Sequence, residues 1–284
     1  MTSLFSVYWA LLTKQNNSRL LPDSSLHLVT PARQLFIDKA NLSQFSKVIT
    51  WQNEVCLPPT YLQTLSFQDC LTLMASKDFP LRPLGLVHIN NNIKVFKEPI
   101  WTAPFNMQTV ATNLQPHNRG YCFDFVTTVR QQSDIVYQSI ATNLAIMQPK
   151  MTQRVPDSHE DMAPSQQNRI WQLAADTGRQ YAKVSGDYNP IHLYRWSAKL
   201  FGFKSAIAHG MFCLAKSLSS LEQKVFAKPL EISTRFYSPV LLPAKPAITV
   251  QQNSSEEVVF ALDTDSKKHL SGCVKPLQIT DVPI

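Results

Sequence analysis

Between Tyr181 and Met211 the chain reads YAKVSGDYNPIHLYRWSAKLFGFKSAIAHGM, which brings a carboxylate (Asp187), an amide (Asn189), an imidazole (His192) and a His-Gly pair (His209 and Gly210) close together in sequence. Asp187 lies in a loop, and Asn189 and Pro190 have the form of a helix N-cap with proline at the first helical position. His192 then falls in the first turn of a short helix running toward Leu200. A turn at Asn189 and Pro190 folds the Asp187 and His192 side chains toward one point. A carboxylate and an imidazole that converge on one water are what general acid and base chemistry needs, since one accepts a proton as the other supplies it. Farther on, Ala208 to Met211 marks the start of a second, buried helix, whose first N–H groups lack partners inside the helix and sit at the positive end of its dipole. Glycine at 210 removes the side chain that would keep a carbonyl from those donors; in other enzymes one such donor stabilises a developing oxyanion by about 2.7–4 kcal/mol.

Each of these residues also has an ordinary structural use. Asp187 can close a turn on its own backbone, Asn189 can act only as a cap, and Gly210 can serve close helix packing. His209 is read as structural. The combination, not any single residue, points to chemistry.

Elements on both sides must hold these groups. Met211, Leu214, Ala215 and Leu218 follow the i, i+3, i+4, i+7 stripe of a helix, and Phe212 and Cys213 widen it toward full burial. Phe67, Cys70, Leu71 and Met74 repeat that spacing 144 residues earlier. Each helix gives way to the period of a strand: Tyr121, Phe123, Phe125, Thr127 and Val129 in the first half, and Ile232, Thr234 and Phe236, then Val258, Phe260 and Leu262, in the second. The polar, proline-containing stretch 148–166 reads as a connector between units 1–147 and 167–284. The fold class is therefore α+β, with two antiparallel sheets each wrapped around a long central helix. The two sheets can pair edge to edge, which hides edge strands.

Composition narrows the function classes. With 44% hydrophobic residues and a mean hydropathy of -0.14, the 284-residue chain reads as globular, and no segment approaches the roughly 18 apolar residues of a membrane span. Leu4 to Leu12 is apolar but has no basic residue before it and no small-residue cleavage signal after it, so it reads as a packed segment. The five cysteines are odd in number, far apart and without CxxC spacing, which argues against a disulfide framework or a zinc knuckle and for a reducing cytoplasm. The net charge of +7 comes from 27 Lys and Arg spread along the chain, with no basic tract of the kind nucleic-acid binding uses. A mild positive field of this kind steers a small anion or an acidic carrier protein.

The run from Tyr181 to Ala198, with SGD, NPIH, five residues and an alanine, resembles the signature of the MaoC-like (R)-specific enoyl-CoA hydratases, and IAHGM (Ile207 to Met211) resembles their second block. In the first half, LPPTY (Leu57 to Tyr61) and LGLVHINNNI (Leu84 to Ile93) resemble the N-terminal half of double-hotdog 3-hydroxyacyl-thioester dehydratases. The resemblance implies a hotdog in each half and reversible addition of water across the 2,3 double bond of a thioester carried by CoA or acyl carrier protein, giving an (R)-3-hydroxyacyl product. It implies Asp187 and His192 as the dyad holding the water, Asn189 as its support and the Gly210 N–H as receiver of the thioester oxygen, with no metal and no cofactor. The loop Thr50 to Tyr61 has neither SGD nor NPIH, so the first half is expected to supply acyl and pantetheine surface and the chain to hold one active site. Two hotdogs in one chain imitate the family's dimer, so a monomer or a homodimer is expected. Two rivals share the substrate class: a hotdog thioesterase, disfavoured because no acid follows Met211 before Glu222, and a non-catalytic acyl-thioester binding module in which the motif is only a turn.

Overall fold

A computed structural model describes residues 11, 14, 26–83, 85–147, 169–227, 229–253, 256–265 and 267–277. The connector expected at 148–166 lies outside them, as does the segment Leu4 to Leu12 apart from Leu11, which is buried. The first half runs β1 (His27–Val29), β2 (Arg33–Leu35), α1 (Lys39–Ile49), α2 (Tyr61–Leu65), α3 (Phe67–Ala75), β3 (Leu86–Val95), β4 (Phe105–His117), β5 (Gly120–Gln131) and β6 (Asp134–Ile146). The second runs β7 (Arg169–Ile170), α4 (Thr177–Ser185), α5 (Pro190–Leu193), α6 (Arg195–Lys199), α7 (Gly210–Leu218), a 3-10 turn (Gln223–Phe226), β8 (Leu230–Phe236), β9 (Ala247–Gln252), β10 (Val258–Thr264) and β11 (Lys267–Pro276).

The strands form one sheet in the order β1-β4-β5-β6-β3-β8-β11-β10-β9-β7, with β2 beside β4. Strands of the two halves stay apart in that order and meet once, where β3 and β8 pair antiparallel from Asn90 opposite Arg235 to Val95 opposite Leu230. The edge-to-edge pairing that would hide two edges is therefore formed. The alternation read from sequence sets the inward faces: Phe123, Phe125, Thr127 and Val129 are buried along β5, and Val258, Phe260 and Leu262 along β10.

The helices explain how one core serves both halves. Asp38 caps α1 by accepting from Ala40 and Asn41 N–H, and Leu42, Phe45 and Ile49 then fall on one buried face. That face packs against α4 and α7 of the other half. Phe45, Tyr61 and Ile93 consequently share a cluster with Tyr181, Phe212, Leu214 and Ile232. A smaller cluster built on Leu73, Phe79, Phe123 and Phe125 stays within the first half.

One expectation changes in detail. The first-half helix forms where the repeat placed it, as α3, and a separate short helix, α2, precedes it across Ser66, whose hydroxyl bonds the Gln63 carbonyl at 2.7 Å. In α3 the deeply buried side chains are Asp69, Leu71 and Leu73, while Cys70 and Met74 are only partly covered. Asp69 is buried because Arg33 meets both of its oxygens, at 2.9 and 3.1 Å, and also donates to the Leu65 carbonyl.

Candidate active site

The site is assembled where α4 ends and α5 begins. Within α4, Gly178 lies so close to α5 that a Cβ there would stand 2.0 Å from the His192 carbonyl oxygen. The absence of a side chain is what lets the two helices approach. Gly186 then ends α4 in the left-handed region, φ 75°, a conformation that glycine adopts without steric cost. The chain reverses there and presents Asp187.

Asp187 uses its two carboxylate oxygens differently. Its Oδ1 accepts the Asn189 N–H at 3.0 Å, closing the turn that the sequence allowed as its ordinary role. Its Oδ2 faces His209, 3.8 Å from Nε2. The Asn189 side chain in turn accepts from Ile191 N–H and caps α5, with Pro190 at its first position. His192 is buried, and its Nδ1–H donates to the Ile207 carbonyl at 2.8 Å, which leaves Nε2 as the free lone pair. One side-chain atom of each of Asp187, His192 and His209 lies within 4.8 Å of the others.

His209, read from sequence as structural, belongs to this cluster. Its Nε2–H donates to the Asp187 main-chain carbonyl at 3.0 Å, and its ring stacks on that of His192 with centroids 3.7 Å apart. It is also the residue before Gly210, so the same side chain ties Asp187 to the start of α7. Each ring thus has one nitrogen already bonded to a carbonyl.

Burial sets the electrostatics. The Asp187 carboxyl is pushed above the usual carboxylate value by desolvation, which His192 and the Asn189 N–H oppose. Its side chain keeps 23% of its surface exposed, so that desolvation is partial. His192 is held below the ordinary 6.5, chiefly by burial, with Asp187 pulling it back up. His209 is held well below 6.5 by burial and by its proximity to His192. Burial thus disfavours the charged form of both Asp187 and His192, while their mutual attraction opposes it. Burial also lowers His88, to about 4, and His269. As pH falls through about 6.5 the unfolded chain takes up protons on these histidines and the folded chain does not, so folded stability falls. The carboxyls shifted upward act in the opposite sense, in the range between the ordinary 3.8 of an aspartate and their raised folded values. The urea midpoint is expected to drop between about pH 7.5 and about pH 6; a flat or rising midpoint would count against buried, neutral histidines.

Gly210 opens α7, and a Cβ there would lie 3.2 Å from the Phe236 ring. Phe236 packs on His88, 4.8 Å between rings, and Asn91 reaches from His88 to Gln63 of α2. On the other side Tyr181 lies 5.0 Å from His209 and 3.5 Å from the Thr64 hydroxyl of α2. The first half therefore meets the site through α2 and β3. The loop from Thr50 to Tyr61 lines, with Trp51, Gln52 and Asn53, a cavity of about 530 Å³ beside Ser219, Phe226 and Val250. That cavity lies at the C-terminal end of α7, a nine-residue helix about 13 Å long, and so away from Gly210. Gly178, Tyr181, His209 and Phe236 were not assigned to the site from sequence; only the isolated glycine inside a helical pattern was a signal.

A second correction concerns the helix from Pro190 toward Leu200. It is two helices, because Tyr194 takes an extended conformation (φ -141°, ψ 151°) between α5 and α6. Ser197 fastens the break by bonding the Pro190 and Tyr194 carbonyls at 2.6 and 3.0 Å.

Gly178→Ala is expected to do more than its one methyl suggests. The His192 backbone must move to relieve a 2.0 Å contact, at a cost of about 1–3 kcal/mol for overpacking. A shift on the order of 1 Å in a reacting group costs roughly 10²-fold in rate. Turnover lost with a melting curve only modestly lowered is the expected result. Unchanged turnover would mean that α4 does not position His192.

The sequence matches the MaoC-like domain family over residues 152–269. It is 34% identical over 228 residues to 3-hydroxyacyl-thioester dehydratase X of Mycobacterium tuberculosis, covering 77% of this chain and 78% of the relative. The crystal structure of HtdX from the same organism superposes with a TM-score of 0.75 at 30% identity, over 88% of this chain and 100% of that one. A conserved hypothetical protein of Mycobacterium tuberculosis described as having a double hotdog fold superposes with a TM-score of 0.54 at 8% identity, over 89% of this chain and 96% of the other, a likeness of fold alone.

Proposed function

This chain belongs to the MaoC-like dehydratase family, and on that premise we propose that it is a hydro-lyase, catalysing reversible hydration of 2-enoyl thioesters and dehydration of (R)-3-hydroxyacyl thioesters. The observation that carries this reading is the convergence of Asp187, His192 and His209 within 4.8 Å beside the helix that Gly210 opens. In the proposed reaction the thioester oxygen lies on the Gly210 N–H, which draws electrons from C3. A water held between Asp187 and the free Nε2 of His192 attacks C3, and its proton passes chiefly to Asp187 with His192 sharing it. The dyad then returns that proton to C2 from the same side, so that one water is added across the double bond and the dyad regains its starting protonation state. The enolate charge is met by a helix terminus, and Asn189 keeps Asp187 aimed.

In the first half, the buried carboxylates Asp69 and Asp124 and the exposed Glu98 are committed to structure. Asp69 is paired with Arg33, Glu98 accepts from Leu57 N–H and Trp101 Nε1–H, and Asp124 accepts from Asn113 and Thr142. This supports one active site per chain, in the second of two units, 1–147 and 167–284. Glu54, exposed in the Thr50 to Tyr61 loop, should be dispensable. Glu54→Gln is expected to leave kcat and KM within about twofold of wild type, as surface substitutions do; a loss comparable to that at Asp187 would place chemistry in the first half. Among the described residues no helix is long and apolar enough to cross a membrane. Five free thiols fit a cytoplasmic setting, and a sheet that already joins two halves suits a monomer or a homodimer.

The test is to follow the enoyl-thioester absorbance when purified protein meets a short 2-enoyl-CoA, and to resolve the stereochemistry of the product. Loss of absorbance with an (R)-3-hydroxyacyl product is expected. Release of free thiol would instead make it a thioesterase, and inertness across chain lengths on both CoA and acyl carrier protein would leave a binding module.

A further inference from the structure

The break at Tyr194 turns α6 outward and leaves an unusual surface beside the site. Trp196, on α6, is 67% exposed and Leu200, the residue that caps its C-terminal end, is 76% exposed, while Tyr194 is exposed and stacks on Trp196 at 5.9 Å. Arg179 holds the other side of this patch, 4.8 Å over the Tyr194 ring and bonded to the Leu193 carbonyl at 2.7 Å. Arg195 and Lys199, also exposed, rise from the same helix, and among the described residues neither has a carboxylate partner. From Tyr188 to Leu221 the sequence contains no Asp or Glu. Large apolar side chains left in water on a monomer mark an interaction site. An aromatic anchor ringed by cations is the composition of a protein interface and not of an ordinary solvated face.

Resting on the hydro-lyase reading of the buried cluster, we propose that α6 and the turn at Tyr194 are the docking surface for an acidic acyl carrier protein that delivers the enoyl chain as its thioester. The position fits delivery: α6 is fastened by Ser197 to α5, the helix that carries His192, so a partner seated there stands directly beside the catalytic cluster. The shape fits a protein better than a free nucleotide. Small-molecule sites are concave and bury most of their ligand, whereas Trp196 and Leu200 project from a convex helix. The charge fits as well, because an unpaired cationic rim steers an acidic partner and sets its orientation while the apolar centre supplies affinity.

The test compares steady-state rates on 2-butenoyl-CoA and on 2-butenoyl acyl carrier protein for wild type, Trp196→Ala and the double variant Arg195→Glu, Lys199→Glu, with binding of the holo carrier measured by calorimetry. For each variant KM for the carrier substrate is expected to rise about tenfold or more, as at interface anchors, with kcat and all CoA parameters unchanged. Added salt should raise KM for the carrier substrate and spare CoA. Equal loss on both substrates would make the patch a seat for the CoA nucleotide and overturn the proposal. So would unchanged carrier kinetics and binding in the variants, or retention of the wild type on anionic vesicles that Trp196→Ala abolishes. If CoA is hydrated but the carrier neither binds nor turns over, the docking proposal fails and the hydro-lyase reading stands.

Discussion

Asp187→Asn is expected to lower kcat for hydration of a short 2-enoyl-CoA on the order of 10²–10⁴-fold, the range that positioned acid and base groups contribute, while the protein stays folded. Asparagine keeps the carbonyl oxygen that accepts the Asn189 N–H at 3.0 Å, so the turn, the cap on α5 and the placement of His192 persist. What disappears is the oxygen facing His209 and the charge. That charge is held in a desolvated setting, so its removal relieves a burial cost. The melting temperature should hold or rise as activity collapses, a split that a merely structural aspartate would not give. The carboxylate also pulls the His192 pKa upward, so in the variant the imidazole should titrate lower still by NMR. Activity within a few-fold of wild type would end the dyad as an account of this site.

The parts of this site that could be read from sequence are those whose geometry is local. Asp187, Asn189 and His192 are joined by a turn and a cap whose bonds span two or three residues, and such bonds follow residue type and spacing. The start of α7 at Gly210 was legible for the same reason, since the apolar stripe that follows has an abrupt beginning. His209 was not legible. Its defining bond runs to a main-chain carbonyl 22 residues earlier, and its other contact is a ring stack, neither of which leaves a pattern in sequence. Gly178 shows the same limit from the other side: a glycine inside a helix is visible, but the His192 carbonyl that forbids its side chain is a fact of tertiary structure. The fold divides along the same line. Helix and strand periods marked both halves, and the edge pairing was open to a physical argument. The register that sets Asn91 opposite Thr234 came only from the structure. The breaks at Ser66 and Tyr194 escaped because each is fastened by a hydroxyl to a carbonyl, a bond that serine and threonine also make within intact helices.

The donor at Gly210 can be removed with little harm to the helix that presents it. Gly210 is the first residue of α7, the position where proline is best tolerated because the N–H it lacks has no partner inside the helix. Proline also restricts the residue before it to extended conformations, and His209 already has φ -62° and ψ 137°. Gly210→Pro should therefore fold and keep the His209 contacts while losing one N–H. If that N–H receives the thioester oxygen, kcat should fall roughly 10²–10³-fold, as when a single oxyanion donor is deleted elsewhere. Both proline and alanine add a Cβ that would meet the Phe236 ring at 3.2 Å, a contact that a ring can yield to more readily than a backbone can. Gly210→Ala is the control, because it keeps the N–H and carries the same steric load. Should alanine and proline be equally impaired, crowding against Phe236 is the cause and the oxyanion role is lost. Should alanine retain most of its turnover while proline loses it with KM little changed, the deleted hydrogen bond is one made in the transition state and hardly at all in the bound substrate.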